Sequence, residues 1–205
     1  MYCNKRRQET RVYFISLLKE IFRKTIHICT ALVPFFLKLA YWPTLIVLGI
    51  MLAVYCTAEG LRYRGMEVPL ISAVTKSAAR KWDENRFVLG PVTLAAGVLL
   101  TAFLFDPLPA AIGIYALAFG DGLASLAGKF LGKTANPFVS RKTVIGSHAC
   151  FVAVFLSTYA VSGSAHAALW TAIAGMCIEI LPLRDFDNLL IPLSLAALNQ
   201  LVPHI

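Results

Sequence analysis

Long apolar segments, separated by short loops that carry most of the charge, dominate this sequence of 205 residues. A helix needs about 20 apolar residues to cross a bilayer. In this chain 58% of the residues are hydrophobic and 15% are charged. Because lipid offers no partners to backbone groups, spanning segments must be helices or closed barrels. The pattern predicts an all-α, polytopic integral membrane helical bundle and argues against a water-soluble fold.

About seven segments qualify as transmembrane helices by this rule. The most apolar segment, residues 87–105, carries no charge and is bounded by Arg86 and Asp106. We find no sequence repeat and no low-complexity linker, so the whole chain, residues 1–205, is predicted to form a single domain. The other predicted spans are residues 26–40, 42–58, 108–128, 144–164, 165–181 and 189–205.

Nearly all basic residues lie in the alternate loops that share one side of the membrane. This distribution predicts the orientation of the protein in the bilayer. The formal net charge is +8, and every Lys and Arg except Lys38 falls in residues 1–25, 59–86, 129–143 or 182–188. Positively charged loops stay on the cytoplasmic side, so we expect a multi-pass protein whose N-terminus and basic loops are cytoplasmic. Residues 67–86 are predicted to form an amphipathic helix at the bilayer surface.

Two other classes of protein are disfavoured. The charge sits between spans and no nucleic-acid-binding module is present, so we expect the lipid bilayer and no nucleic acid as a partner. The five cysteines are scattered and form no C-x-x-C pair, which argues against a disulfide framework and a zinc site. The first 25 residues are basic and polar, so no cleaved signal peptide is expected.

Two acidic residues fall inside predicted spans, where a charge costs a few kcal/mol and usually faces a partner or a polar cavity. They are Asp121 and Glu179. Asp121 is flanked by Gly120 and Gly122, which would let backbone amides and the carboxylate approach a phosphate or its magnesium ion. A structural alternative is an aspartate that pairs with a lysine to stabilise the bundle. The rarity of purely structural membrane carboxylates favours a functional role.

A lysine-rich turn follows the span that contains Asp121. Residues 127–134 fit a relaxed Walker A pattern, but they leave a span, whereas a true P-loop follows a buried strand. Lys129 and Lys133 are either phosphate ligands or topology determinants, and the sequence favours neither.

Further polar groups fall at the same predicted membrane face. Lys142, Gly146 and Ser147 begin one span, and Asp187 and Asn188, oxygen donors of the kind that magnesium accepts, precede the last. Near the N-terminus a carboxylate, two cations and an imidazole lie three or four residues apart and share one face of a helix; they are Glu20, Arg23, Lys24 and His27. Further along the chain, Glu59 and Arg62 lie three residues apart. They either form a surface ion pair or line the site.

Four of these elements, in order, resemble the CTP-dependent polyprenol kinase family, which includes dolichol kinase, phytol kinase and a CTP-dependent diacylglycerol kinase. Residues 23–27 resemble the family's RK-x-x-H element, and residues 120–129 resemble its GDG-A-S-x-x-G-K segment. Residues 142–147 resemble K-S-x-E-G-S, and Glu179 with residues 187–192 resembles E…DN-x-x-x-P. One position departs, because Ile145 stands where the family has an acid.

The resemblance implies a lipid kinase that transfers a phosphoryl group from CTP, with Mg²⁺, to the hydroxyl of a membrane lipid alcohol such as a polyprenol, a phytol-like alcohol or diacylglycerol. It implies catalytic roles for Asp121 and Lys142. The expected metal ligands are Asp121, Glu179, Asp187 and Asn188. The expected nucleotide and phosphate ligands are Arg23, Lys24, His27, Gly120, Gly122, Ser125, Lys129, Lys133, Gly146 and Ser147.

Two competing functions are considered. One is a phosphatidate cytidylyltransferase, although the paired aspartates of that enzyme's C-terminal signature are not found. The other is a small transporter whose Asp121 and Glu179 bind a coupling ion.

Overall fold

The chain folds into a bundle of helices. The computed structural model describes residues 2–66, 75, 86–132 and 142–201, with side chains described from residue 14 onward. Within these ranges there is no strand, so the predicted all-α class is confirmed. The helices are α1 Tyr2–Cys29, α2 Val33–Leu39, α3 Tyr41–Tyr63, α4 Gly90–Leu104, α5 Pro107–Tyr115, α6 Gly122–Leu131, α7 Val144–Ser162, α8 Ala165–Ile180 and α9 Asp187–Leu201.

The first predicted span, residues 26–40, is wrong as a single helix. Those residues comprise the end of α1, a 3-10 turn over Thr30–Leu32 and α2. Pro34 explains the break, because a proline has no N–H for the residue four before it and its ring crowds that residue's carbonyl. The residue four before Pro34 is Thr30, where the 3-10 turn begins.

Helices α5 and α6 form one continuous rod through a π-helical turn over Ala116–Asp121. Such turns insert an extra residue into an α-helix and are frequent at functional sites. Asp121 is the last residue of this turn, and the sequence pattern did not predict it.

The ends of α7 and α8 follow ordinary capping chemistry. The Thr143 side chain accepts a hydrogen bond from the Gly146 amide at the start of α7, and Ser164 caps α8 through the amide of Ala167. Between them Gly163 has a φ of 69°, the left-handed conformation that ends many helices. This tight hairpin packs α7 along α8.

The remaining packing arranges the bundle around the Asp121 turn. Helix α7 lies between α6 and α8, while α9 packs on α4, α5 and α8. Helix α3 packs on α4, and α1 packs on α6 and the π turn. The end of α1, the π turn and the start of α9 therefore meet at one end of the bundle.

Three described helices are long and apolar enough to cross a membrane: Tyr41–Tyr63, the rod Pro107–Leu131, and Val144–Ser162. Two shorter apolar helices, α4 and α8, accompany them. Large apolar side chains such as Phe35, Trp42 and Met51 are exposed on the outside of the bundle, as expected for lipid contact. The structure supports membrane association, while seven spans and their orientation stay predictions. The interfacial helix predicted for residues 67–86 lies outside the described residues except for Thr75 and Arg86.

Candidate active site

Asp121 is a buried carboxylate held by two basic side chains of α1. The Lys24 ammonium donates to Asp121 Oδ2, and His27 Nδ1 lies 3.1 Å from the same oxygen. All three residues are at most 4% exposed. Lys24 and His27 are three residues apart and therefore share one face of α1. Both side chains contact the Asp121 carboxylate, so these polar contacts hold α1 against the π turn.

A second polar group lies one turn earlier on α1. Ser125 donates a hydrogen bond to Glu20, and Arg23 lies 2.6 Å from the same carboxylate oxygen. Lys129 Nζ donates to the backbone carbonyl of Ser16 at 2.9 Å. The predicted phosphate ligands Arg23, Ser125 and Lys129 therefore line the contact between α1 and α6.

The third group joins the start of α7 to α8. Lys142 Nζ lies 2.8 Å from Glu179 Oε1, and Ser147 Oγ donates to Glu179 Oε2 at 3.3 Å. Burial alone would lower the pKa of Lys142, but the Glu179 carboxylate outweighs it and raises that pKa above its ordinary value. Lys142 is therefore a firmly charged ammonium beside the predicted site.

The start of α9 brings further carboxylates. Asp187 accepts a hydrogen bond from the Asn188 amide at 2.9 Å. Burial and, secondly, the charge of Asp121 raise the pKa of Asp187 to about 7. The Asn188 side chain donates to Gly90 O and Thr93 Oγ1, so it ties α9 to α4. Burial and the neighbouring Asp121 charge thus disfavour the ionised form of Asp187.

These residues surround a cavity of about 170 Å³. The lining includes Asp121, its two α1 partners, Asp185, and Asp187 at the start of α9. Most of the other lining residues are apolar. The polar lining residues are Arg23, Lys24, His27, Asp121, Asp185, Asp187 and Asn188, and the others are Ile26, Tyr55, Val88, Gly90, Pro91 and Leu94.

A buried clamp holds the chain segment that enters the apolar wall. Glu59 is 0% exposed; it accepts from Arg62 at 2.6 and 2.7 Å and from the Val88 amide at 2.8 Å. Arg62 also donates to the Arg86 carbonyl at 2.7 Å. The interpretation of Glu59 and Arg62 as a surface pair is therefore wrong. Glu59 fixes the segment that leads into α4, and Val88 lines the cavity.

The glycines around Asp121 serve close packing. A Cβ at Gly120 would come within 2.7 Å of the Val154 side chain, and one at Gly146 would lie 2.9 Å from the Ala124 carbonyl oxygen. Small residues let membrane helices approach in this way. A Cβ at Gly122 would lie 3.2 Å from the Ile28 side chain, which is closer than an ordinary packing contact. The phosphate roles predicted for Gly120, Gly122 and Gly146 stay predictions.

Comparison with known proteins gives a consistent set of relatives. Phytol kinase 1 of the Arabidopsis thaliana chloroplast is 29% identical over 198 residues, which cover 84% of this chain and 63% of that protein. A probable chloroplastic phytol kinase of Triticum aestivum is 28% identical over 141 residues, or 60% and 47% of the two chains. This chain is similar in sequence to the phytol kinases. The predicted resemblance is confirmed.

The likeness extends beyond plants. An uncharacterised protein of Methanocaldococcus jannaschii is 29% identical over 189 residues, covering 87% of this chain and 92% of that one. The phytol kinases are longer, and the matches span only 47% and 63% of the two plant proteins above. No protein-family model and no solved structure matches.

The structure brings most of the predicted site residues that it describes to one end of the bundle. Asp121, Asp187 and Asn188 line one cavity with Lys24 and His27. Glu179 is buried beside that cavity and is bound to Lys142 and Ser147. Lys133 lies outside the described residues.

The carboxylates fit a magnesium ion. Mg²⁺ is usually bound by one or two carboxylates together with water and substrate phosphates. Two carboxylates, Asp121 and Asp187, line the cavity, and the charge of Asp121 is already felt at Asp187. A cage of three or more His, Cys, Asp or Glu side chains is not formed within the described ranges. Asp121 and Asp187 are therefore the carboxylates of this cavity that could hold such an ion.

Sequence reasoning missed the apolar wall and Asp185. Nothing in the sequence distinguishes the cavity residues Tyr55, Pro91 and Leu94 from other residues of an apolar span. Only the packing of the helices shows that they line a cavity. Asp185 follows Arg184, whose φ is 57°. An aspartate two residues before the predicted ligand Asp187 was the available signal.

Proposed function

We propose that this protein transfers the terminal phosphoryl group of a nucleoside triphosphate, CTP, to the hydroxyl of a membrane lipid alcohol with the help of Mg²⁺. The observation that carries the proposal is the Asp121–Lys24–His27 cluster in the wall of a cavity that is also lined by apolar residues. A lipid alcohol likewise combines a polar hydroxyl with an apolar tail. The homology to phytol kinases supports the same activity class.

The proposed reaction is an in-line displacement. The alcohol oxygen bonds to the γ-phosphorus, the bond from that phosphorus to the bridging oxygen breaks, CDP leaves, and a carboxylate at the site accepts the hydroxyl proton. Phosphoryl transfer depends on positioning and on charge stabilisation. The magnesium ion, when bound, would neutralise charge on the phosphate oxygens, and Asp121 and Asp187 are the residues that would hold it.

The cations have complementary tasks in this proposal. Lys142 and Lys129 hold phosphate oxygens, while Arg23 and Lys24 balance the carboxylates around them. Each already has a partner in the structure: Glu179 for Lys142, and the Ser16 carbonyl for Lys129. A bound nucleotide would share these ammonium groups with their present partners or displace those partners. We therefore expect Lys142→Ala and Lys129→Ala to raise the KM for the nucleotide.

The test uses purified protein in detergent, a panel of lipid alcohols, and CTP labelled at either the α- or the γ-phosphate. The proposal expects γ-label on the alcohol, less transfer with ATP, and no transfer in EDTA. Transfer of α-label to a lipid acid would indicate the cytidylyltransferase instead. Equal turnover with ATP would contradict the CTP preference alone, and no transfer from any donor would contradict the kinase function.

A further inference from the structure

Helix α1 runs antiparallel to the rod of α5 and α6 in a regular register. Three polar contacts join them, between Ser16 and Lys129, Glu20 and Ser125, and Lys24 and Asp121. Each advance of four residues along α1 is matched by a step of four residues back along the rod. The two helices therefore lie side by side here, and the register shows which of their residues stand at the same level of the bundle.

The outer face of α1 is exposed and mostly apolar. An α-helix turns by about 100° per residue, so residues 14, 15, 18, 22 and 25 share the face that points away from the three polar contacts. Exposed on this outer face are Phe14, Ile15, Leu18, Phe22 and Thr25. Large apolar side chains grouped on one exposed face mark a surface that contacts lipid or another protein.

The neighbouring rod presents exposed apolar side chains at the same levels. This rod, Pro107–Leu131, is long and apolar enough to cross a membrane. By the register of the polar contacts, Phe14 stands level with Leu131 and Phe22 stands level with Leu123. Both rod residues are exposed. The outer face of α1 thus continues the apolar surface of a candidate membrane span, which favours the acyl chains of lipids as its occupant.

Basic residues follow where this apolar surface ends. The sequence before Phe14 contains one acid, Glu9, and four cations, Lys5, Arg6, Arg7 and Arg11. Beyond the other helix, Lys133 comes two residues after Leu131. Clusters of cations beside a membrane segment attract anionic lipid headgroups. The order of charge and apolar surface therefore fits a leaflet with its headgroups beside the residues before 14 and its acyl chains beside residues 14–25.

We propose that the outer face of α1, residues 14–25, is embedded in the acyl chains of the leaflet on the side of the basic loops, and that the cations before Phe14 bind anionic headgroups of that leaflet. The first membrane segment then begins near residue 14 rather than at residue 26, where the apolar sequence alone placed it. Lys19 is exposed at the edge of this face, and its long side chain reaches towards the headgroups.

This placement puts the Asp121 cluster below the membrane surface. Lys24 is ten residues beyond Phe14, or about 15 Å along the helix axis, which is about half of the hydrocarbon core of a bilayer. Charged groups at such depth pair with one another, as Lys24 does with Asp121 and Arg23 does with Glu20. A lipid hydroxyl can therefore reach the cluster within the acyl-chain region, whether or not the reaction is phosphoryl transfer.

Spin labels test the depth of α1 in vesicles made of equal parts of phosphatidylcholine and phosphatidylglycerol. In a cysteine-free background, one label at a time is attached through Phe14→Cys, Leu18→Cys, Phe22→Cys or Thr25→Cys. Collisions of each label with oxygen, which dissolves in acyl chains, are compared with collisions with a water-soluble nickel complex. The ratio of oxygen to nickel collisions should rise from position 14 to position 25. Four positions keep the test decisive if one variant does not fold.

Two positions on α3 supply the references for these labels. Met51→Cys lies on the exposed face near the middle of this candidate span and gives the value for lipid. Arg64→Cys lies exposed just beyond the end of α3 and gives the value for water. A ratio as low as that of Arg64→Cys at all four positions of α1 would overturn the proposal. Few collisions with either reagent would show that a second copy or another protein covers the face, and would overturn it too.

The headgroup contact is tested by combining Arg6→Gln, Arg7→Gln and Arg11→Gln. The label at Phe14→Cys should move more slowly in vesicles that contain phosphatidylglycerol than in vesicles of phosphatidylcholine alone, because the cations hold the start of α1 at an anionic surface. The combined variant should lose this difference. Arg64→Gln removes an exposed cation of another helix and should keep it. Equal motion of the label in both kinds of vesicle with all arginines present would overturn the headgroup assignment.

Discussion

At the scale of single residues, a substitution of Asp121 distinguishes a structural role of this carboxylate from a catalytic one. A buried aspartate beside a lysine and a histidine would hold helices together even without chemistry. Removing one partner of a buried charge pair costs about 3–5 kcal/mol when the other charge is left alone. The site also contains carboxylates that Lys24 does not contact directly, and a purely structural pair gives no reason for them.

We expect Asp121→Asn to reduce the specific activity by at least about 100-fold, because the neutral amide lacks the negative charge that attracts a metal ion and does not accept a proton. Folding should survive, since removing a carboxylate lowers its desolvation cost and offsets part of the loss from the orphaned Lys24. Thermal stability and turnover are measured on the same preparation in detergent. Asp106→Asn, at the exposed start of α5, is the control and should retain activity. Normal turnover per folded Asp121→Asn molecule would make the residue structural.

Asp187 makes stability depend on pH. Its pKa of about 7 in the folded protein exceeds the ordinary aspartate pKa of 3.8, so folding favours the protonated carboxyl. Stability from this group is fully present below about pH 4 and is lost as the pH rises towards 7. In EDTA, we expect Asp187→Asn to gain stability relative to the wild type at pH 8 and to show little difference at pH 4. Unfolding midpoints at both pH values check this, and an equal difference at both would contradict it.

At the scale of elements, the connection from α3 to α4 is held by the Glu59 clamp. The carboxylate is fully buried and accepts hydrogen bonds from Arg62 and from the Val88 amide. The Val88 carbonyl in turn accepts from Tyr55 at 3.2 Å. The wall of the cavity and the packing of α3 on α4 are thus secured by the same few bonds.

We expect Glu59→Ala to lower the free energy of unfolding by about 3–5 kcal/mol, as for other broken buried pairs, and to weaken alcohol binding because Val88 and Pro91 lose their support. Thermal unfolding in detergent and the alcohol KM are the measurements. Arg64→Ala serves as control, because Arg64 is exposed at the end of the same helix. A Glu59→Ala protein as stable as this control would show that the clamp is dispensable.

The positions of helices were predictable because backbone N–H and C=O groups find no hydrogen-bond partners in lipid and must bond to each other. Long apolar segments such as residues 144–164 were therefore expected to be helical. The gathering of Lys24 and His27 on one side followed from their spacing. The π turn was not predictable, because nothing in Ala116–Asp121 departs from a helical apolar pattern. The cavity wall also escaped prediction, since an apolar residue that faces lipid and one that faces a substrate are chemically alike.

At the scale of the whole molecule, the described helices present many large apolar side chains outward. The site cluster of α1, the π turn and α9 lies at one end of the bundle, together with the start of α7. If the basic loops are cytoplasmic, the proposed reaction would take its water-soluble nucleotide from the cytoplasm and its alcohol from the bilayer.

This orientation can be tested in a cysteine-free background. Lys133→Cys should react with an impermeant thiol reagent only from the cytoplasmic side, because basic loops are retained there. Ala165→Cys, at the exposed start of α8 and on the opposite end of α7, should react only from the other side. Labelling of Lys133→Cys from outside intact cells would reverse the proposed topology.

The π turn also makes the site sensitive to chain length. An α-helix advances by about 100° per residue, so one extra residue sets α6 out of phase with α5 along a single rod. The first half can then face α4 and α9 while the second half faces α1 and α7. Inserting one residue after Ala118, beyond the one that the wide turn already absorbs, should rotate Asp121 by about 100° away from Lys24 and abolish activity in a chain that has lost no charged group. Sequences aligned to this one should therefore lack single-residue insertions at residues 116–119.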